Sequence, residues 1–267
     1  MIDILTVEPW VVVVLVAAGI FAGLMSGLLG VGGGLIFGPV GYFILTALGY
    51  PNDTALLTAF GVSLAAAFPT VLTGAITHSR KGNVAWKCAI VMGICGMVLG
   101  FVGGWVASVM PIRILTIIFA VVLILGGLKL MMKLPAGTRE SMPAPMSGAI
   151  GAAGGFFSGL LGVGGGIILV PLMTMVGKFT MTRAAATSAA AIVFITIGGL
   201  VEYLIQGYFD WFIWLILTVT AVPCAYLSAA KISGKVSDRW LRILFCILMI
   251  VVACKMLGLF DWIGSLF

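Results

Sequence analysis

One fourteen-residue pattern is written twice in this chain. Residues 26–39 read Ser26-Gly-Leu-Leu-Gly-Val-Gly-Gly-Gly-Leu-Ile-Phe-Gly-Pro39, and residues 158–171 read Ser158-Gly-Leu-Leu-Gly-Val-Gly-Gly-Gly-Ile-Ile-Leu-Val-Pro171. Matching positions lie 132 residues apart, about half of the 267-residue chain. Three consecutive glycines do not continue a stable helix, because each costs about 1 kcal/mol relative to alanine. The flanking sequence is apolar, so the chain must break two hydrophobic helices at corresponding places. In a membrane protein, such paired Gly/Pro interruptions point to a transport site.

Composition places those breaks in a bilayer. The chain is 62% hydrophobic and 8% charged, with a mean hydropathy of +1.28. A soluble domain carries about 25% charged residues; this chain lacks the polar side chains to cover a water-facing surface and must face lipid. The formal charge of +6 does not indicate nucleic acid, because the basic residues fall in short loops between apolar runs. Cys88, Cys95, Cys224, Cys246 and Cys254 lie in apolar stretches without a C-x-x-C, and no His/Cys/Asp/Glu cluster has metal spacing. Neither a metal nor another cofactor is expected, and no Ser/His/Asp arrangement suggests an enzyme. The N-terminal apolar run follows Asp3 and Glu8 with no basic residue, so it reads as a retained helix rather than a signal peptide.

Apolar runs and their punctuation predict ten helical segments, at roughly 9–29, 34–50, 54–77, 86–109 and 112–132, then 146–161, 166–178, 182–205, 211–230 and 238–258. The fold class expected is an all-α polytopic membrane protein of two repeats, 1–132 and 146–267, joined by the Pro-rich linker 133–145. With 8–10 spans, the short segments flanking each glycine motif are half-helices or re-entrant. The repeat extends beyond the motif: Thr58 falls near Thr187, Gly82 and Trp86 match Gly207 and Trp211, Arg113 matches Arg239 and Lys129 matches Lys255.

Five segments per repeat would set the halves in opposite orientations. Charge agrees. With the N-terminus outside, Arg80, Lys81, Lys87, Lys129, Lys133, Arg139, Lys178, Arg183, Lys231, Lys235, Arg239 and Arg242 become cytoplasmic, twelve of the 14 basic residues, leaving Arg113 and Lys255 as exceptions. Loop 78–87 is basic whereas its counterpart 203–212 has no basic residue. Both termini are then non-cytoplasmic in a prokaryotic inner membrane, and the repeats are inverted.

The helices restarting at Gly34 and Gly166 begin with unpaired amides and the positive end of a dipole, an anion site that needs no lysine. Candidate substrate-binding residues are Ser26, Gly30, Gly32, Gly33, Gly34 and Thr58 in the first half, with Ser158, Gly162, Gly164, Gly165, Gly166, Thr187 and Ser188 in the second. Pro39 and Pro171 are structural. His78, the only histidine, Arg183 and Glu202 are candidate coupling or charge-partner residues, against simpler roles as an interfacial cap, a topogenic charge and a hydrated acid. Glycine at this density also permits close helix packing alone. The motif lacks the Gly-Lys-Ser/Thr of a Walker A loop, and a dinucleotide fingerprint would need an acid near 182–186 in the second copy.

The duplicated Ser-Gly-Leu-Leu-Gly-Val-Gly-Gly-Gly…Pro motifs, in a chain of this length and hydropathy, resemble the sulfite exporter TauE/SafE family of membrane permeases. The resemblance implies transport of sulfite, sulfoacetate or related sulfur oxyanions and organosulfonates across the bacterial cytoplasmic membrane. Partners expected are the lipid bilayer and a small anionic substrate, with further copies of the chain as an open alternative and no nucleic acid. A channel-like anion pathway and a non-transporting membrane assembly protein are the alternative functions. Where the second half has Thr187-Ser188 the first has Thr58-Ala59, an incomplete hydroxyl pair.

Overall fold

The computed structural model describes residues 8–131 and 139–232, together with residues 246, 247, 250, 251, 253 and 254. Nine α-helices are described: α1 (Pro9–Leu29), α2 (Gly34–Ala47), α3 (Asn52–Arg80), α4 (Trp86–Val109), α5 (Ile112–Met131), α6 (Ala144–Leu161), α7 (Gly166–Met175), α8 (Met181–Ile205) and α9 (Trp211–Leu227). A π-helical turn, Ser228–Ile232, follows α9. The predicted segment 238–258, residues 133–138 of the linker, and the matches Arg113–Arg239 and Lys129–Lys255 involve residues outside this description.

Local chemistry sets the boundaries. Pro9 opens α1 at a position whose missing amide costs nothing. Thr180 caps α8 by accepting from the Arg183 amide, and the Asp210 carboxylate caps α9 by accepting from the amides of Phe212 and Ile213 at 3.0 Å each. Six helices, α1, α3, α4, α6, α8 and α9 with the turn that extends it, are long and apolar enough to cross a membrane. By contrast α2, with 14 residues, and α7, with 10, are too short to span at 1.5 Å per residue, as expected of broken half-helices.

Burial separates centre from rim. The most apolar window of α3 is 83% buried and that of α8 72%, against 39% for α4 and 33% for α9. The outer faces are apolar rather than charged: Ile90, Ile94, Val98, Trp105 and Val109 stand exposed along α4, and Ile114, Ile117, Val121 and Leu125 along α5. A folded chain that exposes such stripes has lipid as its solvent.

Glycine contacts recur at matching positions in the two halves. A side chain added to Gly19, Gly23 or Gly27 of α1 would run into α9 at Leu217 and Thr220, Ala221 and Ala225 respectively. One added to Gly151, Gly155 or Gly159 of α6 would run into α4 at Met92, Gly96 and Gly100. The glycines correspond at a spacing of 132, and their partners (Met92 and Leu217, Gly96 and Ala221, Gly100 and Ala225) at 125. Two stripes of glycine every fourth residue thus bring backbones together where the bilayer offers no hydrophobic force between helices.

The same contacts fix direction. Positions advance together along α1 and α9, and along α4 and α6, so each pair is parallel; Gly93, Gly100 and Gly104 of α4 likewise meet Phe194, Ile195 with Gly199, and Glu202 of α8. The two central helices run opposite ways. Gly61, early in α3, meets Tyr203 and Tyr208 at the far end of α8, while Ala75, late in α3, clusters with Ala186, Ala189 and Ala190.

Candidate functional site

The two glycine turns share one backbone course. Gly30 and Gly162 end their helices in the left-handed region, at φ +64° and +65°, and Gly33 and Gly165 precede the next helices at +71° and +77°. An L side chain there costs about 1–2 kcal/mol, which accounts for glycine at these places in both copies. The Gly33 carbonyl accepts from the Ile36 and Phe37 amides, and the Gly165 carbonyl from those of Ile168 and Leu169. The amides of Gly34 and Leu35, and of Gly166 and Ile167, have no acceptor among the described residues. Pro39 and Pro171 each occupy the sixth position of a short helix, leaving a further carbonyl one turn back without its usual donor.

The turns face each other. A Cβ on Gly34 would come within 2.7 Å of the Val163 backbone, and one on Gly166 within 2.5 Å of the Val31 backbone. This reciprocal contact requires glycine at both positions and seals the turns together in this conformation. Gly32 and Gly164 face apolar side chains: an added Cβ on either would be 3.7 Å from Ile192 Cγ2, that on Gly32 also 3.1 Å from Val71 Cγ1 and that on Gly164 3.9 Å from the Ala67 Cβ.

Two serines from the central helices lock the turns to the opposite halves. The Ser63 hydroxyl lies 2.6 Å from the Gly162 carbonyl, to which it donates, and 3.2 Å from that of Gly34. The Ser188 hydroxyl lies 3.4 Å from the Gly30 carbonyl. Gly30 correspondingly abuts Ala185 of α8, and Gly162 abuts Phe60 of α3. Both relations hold at a spacing of 125, which corrects the pairing of Thr58 with Thr187. The structural counterpart of Ser188 is Ser63, so the hydroxyl pair is complete. Ser63 is not among the candidates read from the sequence. The Gly82-Trp86 and Gly207-Trp211 match, also at 125, carried the signal that would have found it.

The other candidates separate. Thr187 is committed to architecture, its hydroxyl accepting from the Ala85 amide at 3.1 Å where α4 begins. Thr58 and Ser26 are buried, and the Ser26 carbonyl accepts from the Gly30 amide at 2.8 Å. Ser158 is fully buried and its hydroxyl has no partner among the described residues; its Cβ lies 3.4 Å from where a side chain on Gly165 would begin. In the first copy the Phe37 ring occupies the corresponding space, 2.8 Å from a Cβ on Gly33.

Arg183 stands at the start of α8, where its Nε donates to the Glu140 carbonyl at 2.9 Å; among the described residues no hydrogen bond joins it to either turn. His78 lies in the last turn of α3 and is buried. Helix α3 runs on to Arg80, which leaves His78 buried against α1 with Nε2 3.4 Å from the Gly27 carbonyl and Nδ1 without a partner among the described residues. Its counterpart at 125 is Tyr203, whose hydroxyl donates to the Gly159 carbonyl at 2.8 Å. Glu202 is buried beside Gly104, accepting from the Gln206 amide group at 3.0 Å. Among the described residues no group of three His, Cys, Asp or Glu side chains could hold a metal ion.

Similarity to known proteins follows the same lines. The family model described as "Sulfite exporter TauE/SafE" matches residues 15–256. A "Probable membrane transporter protein" of Methanocaldococcus jannaschii is 31% identical over 255 residues, covering 91% of this chain and 94% of that relative. A second, YunE of Bacillus subtilis, bears the same description and is 27% identical over 274 residues, covering 93% of this chain and 99% of its own length.

Proposed function

The chain belongs to the sulfite exporter TauE/SafE family, and we propose that it is a secondary transporter of a small anion, a sulfur oxyanion or organosulfonate such as sulfite or sulfoacetate. The coarser statement, a membrane transporter rather than an enzyme, comes with the family and its relatives. Ser158 carries the finer reading. An unpartnered buried hydroxyl beside Gly165 adjoins a helix start whose first two amides also lack acceptors. An oxyanion accepts on every oxygen and would satisfy all these donors at once; a cation would satisfy none. Donors that carry no full charge bind an anion weakly enough to release it.

The mechanism is alternating access between inverted halves. The opposite directions of α3 and α8 support inversion, and the Lys/Arg bias supports an inner-membrane orientation with both termini outside. The reciprocal seating of Gly34 on Val163 and Gly166 on Val31 is a closed gate on this reading. Substrate exchange parts those backbones, which a carrier does cyclically and an open channel does not. His78 and Glu202, buried and ionisable, are the residues to test for proton coupling.

The test is flux of radiolabelled sulfite and sulfoacetate into proteoliposomes containing the full chain. Ser158→Ala lowers flux about tenfold while the protein stays folded, and Gly33→Leu with Gly165→Leu abolishes it. Undiminished flux in Ser158→Ala removes the site. Saturable exchange distinguishes a carrier from a conductive pore.

A further inference from the structure

A cavity of about 290 Å³ opens on the outer face between the end of α3, the start of α4 and the middle of α8. Its walls are apolar, with Leu72, Ile76, Val193 and Phe194 among them, and its mouth carries Arg80 and Trp86. Leu72, Ile76 and Trp86 are exposed, so the cavity is open to lipid.

Arg80 is the informative residue. Its neighbour Lys81 is occupied, the ammonium donating to the Ala229 carbonyl at 2.8 Å. Arg80 is exposed and makes no hydrogen bond or ion pair among the described residues. Lys87, also exposed, directly follows Trp86, and no aspartate or glutamate occurs between Asp53 and Glu140. The duplicated structure supplies an internal control. At a spacing of 125, Leu72, Ile76 and Trp86 become Ile197, Val201 and Trp211, all exposed and apolar, whereas Arg80 becomes Ile205. The apolar stripe is a property of both halves; the arginine at its end belongs to one, beside the basic loop that holds Lys81 and Lys87.

We propose that this cavity is a binding site for one anionic phospholipid, an acyl chain lying between Ile76 and Phe194 and the headgroup phosphate on Arg80. A guanidinium fork matches phosphate oxygens, and an interfacial tryptophan fits the headgroup level. The proposal is independent of what the protein transports.

The test uses the whole chain in phosphatidylcholine nanodiscs doped with a few mole per cent of lipid carrying brominated acyl chains, which quench nearby indoles. The Trp86 signal is the difference between the wild-type chain and Trp86→Phe. Brominated phosphatidylglycerol quenches that difference signal about fivefold more effectively than brominated phosphatidylcholine, the factor supplied by one cation near the surface. Arg80→Gln, an exposed substitution outside the packed core, brings the two lipids to parity. Equal quenching by both lipids in the wild-type chain, or a preference that survives Arg80→Gln, overturns the proposal.

Discussion

Ser63 and Ser158 are both buried serines beside glycine turns, yet they predict opposite outcomes. Ser63 donates to the Gly162 carbonyl at 2.6 Å. Removing it leaves a buried acceptor without that donor, a loss of about 1–3 kcal/mol. Ser63→Ala is therefore expected to lower the thermal-unfolding midpoint in detergent, even if assayed without any anion. Ser158 has no side-chain hydrogen bond to lose among the described residues, and replacing an unsatisfied buried hydroxyl by hydrogen is neutral or mildly stabilising. Ser158→Ala keeps or raises the midpoint in buffer; on the proposed function, added sulfite raises the midpoint of the unmodified protein and leaves that of Ser158→Ala unshifted. A Ser158→Ala protein that still shifts with sulfite would assign the anion to other donors. His78 adds a third contrast. His78→Tyr installs the residue that its counterpart Tyr203 uses to reach the Gly159 carbonyl, so folded yield is retained, and any loss of pH-dependent flux then belongs to the imidazole.

At the level of helices, glycine spacing does the packing. A Cβ on Gly155 would collide with the backbone of Gly96, which has no side chain to move aside. Gly74 lies inside α3 with nothing within 4 Å of an added Cβ. Gly155→Ala thus destabilises, while Gly74→Ala stabilises by about 1 kcal/mol through helix propensity alone; paired thermal melts measure both signs. Helix bounds were legible wherever punctuation is sharp: Pro9–Leu29 and Trp86–Val109 fall where the apolar runs start and stop. The register of α3 with α8 was not. The repeat spacing drops from 132 to 125 between the glycine motif and these helices, where α2 has 14 residues and α7 only 10. Matching threonines by identity therefore placed Thr58 opposite Thr187, four positions off. The burial of His78 was illegible for a related reason: α3 continues past the last apolar residue to Arg80, and no local signal reports a neighbour 51 residues away. The motif's glycines were recognised, but that Gly34 and Gly166 rest on each other's loops is a long-range contact invisible to spacing.

For the whole molecule, the contacts sort six long helices into two opposed sets. Pairs that advance together place α1 with α9 and α4 with α6 and α8, while α3 and α8 run in opposite directions. The loops that close the two hairpins are built alike. The Asn83 amide donates to the His78 carbonyl at 3.2 Å, and its counterpart at 125, the Tyr208 amide, donates to the Tyr203 carbonyl at 2.9 Å. The first loop follows His78, Arg80 and Lys81; the second lies between Glu202 and Asp210. If the halves are inverted across a bilayer, these two equivalent turns open on opposite sides, the basic one inside. The measurement is labelling of Asn83→Cys and Tyr208→Cys, each in a chain whose five native cysteines are replaced, with a maleimide that cannot cross membranes. In intact cells Tyr208→Cys is labelled and Asn83→Cys is protected; in inside-out vesicles the pattern reverses. Labelling of both positions from one side would mean that the two halves share an orientation, and the alternating-access mechanism built on their opposition would fall with it.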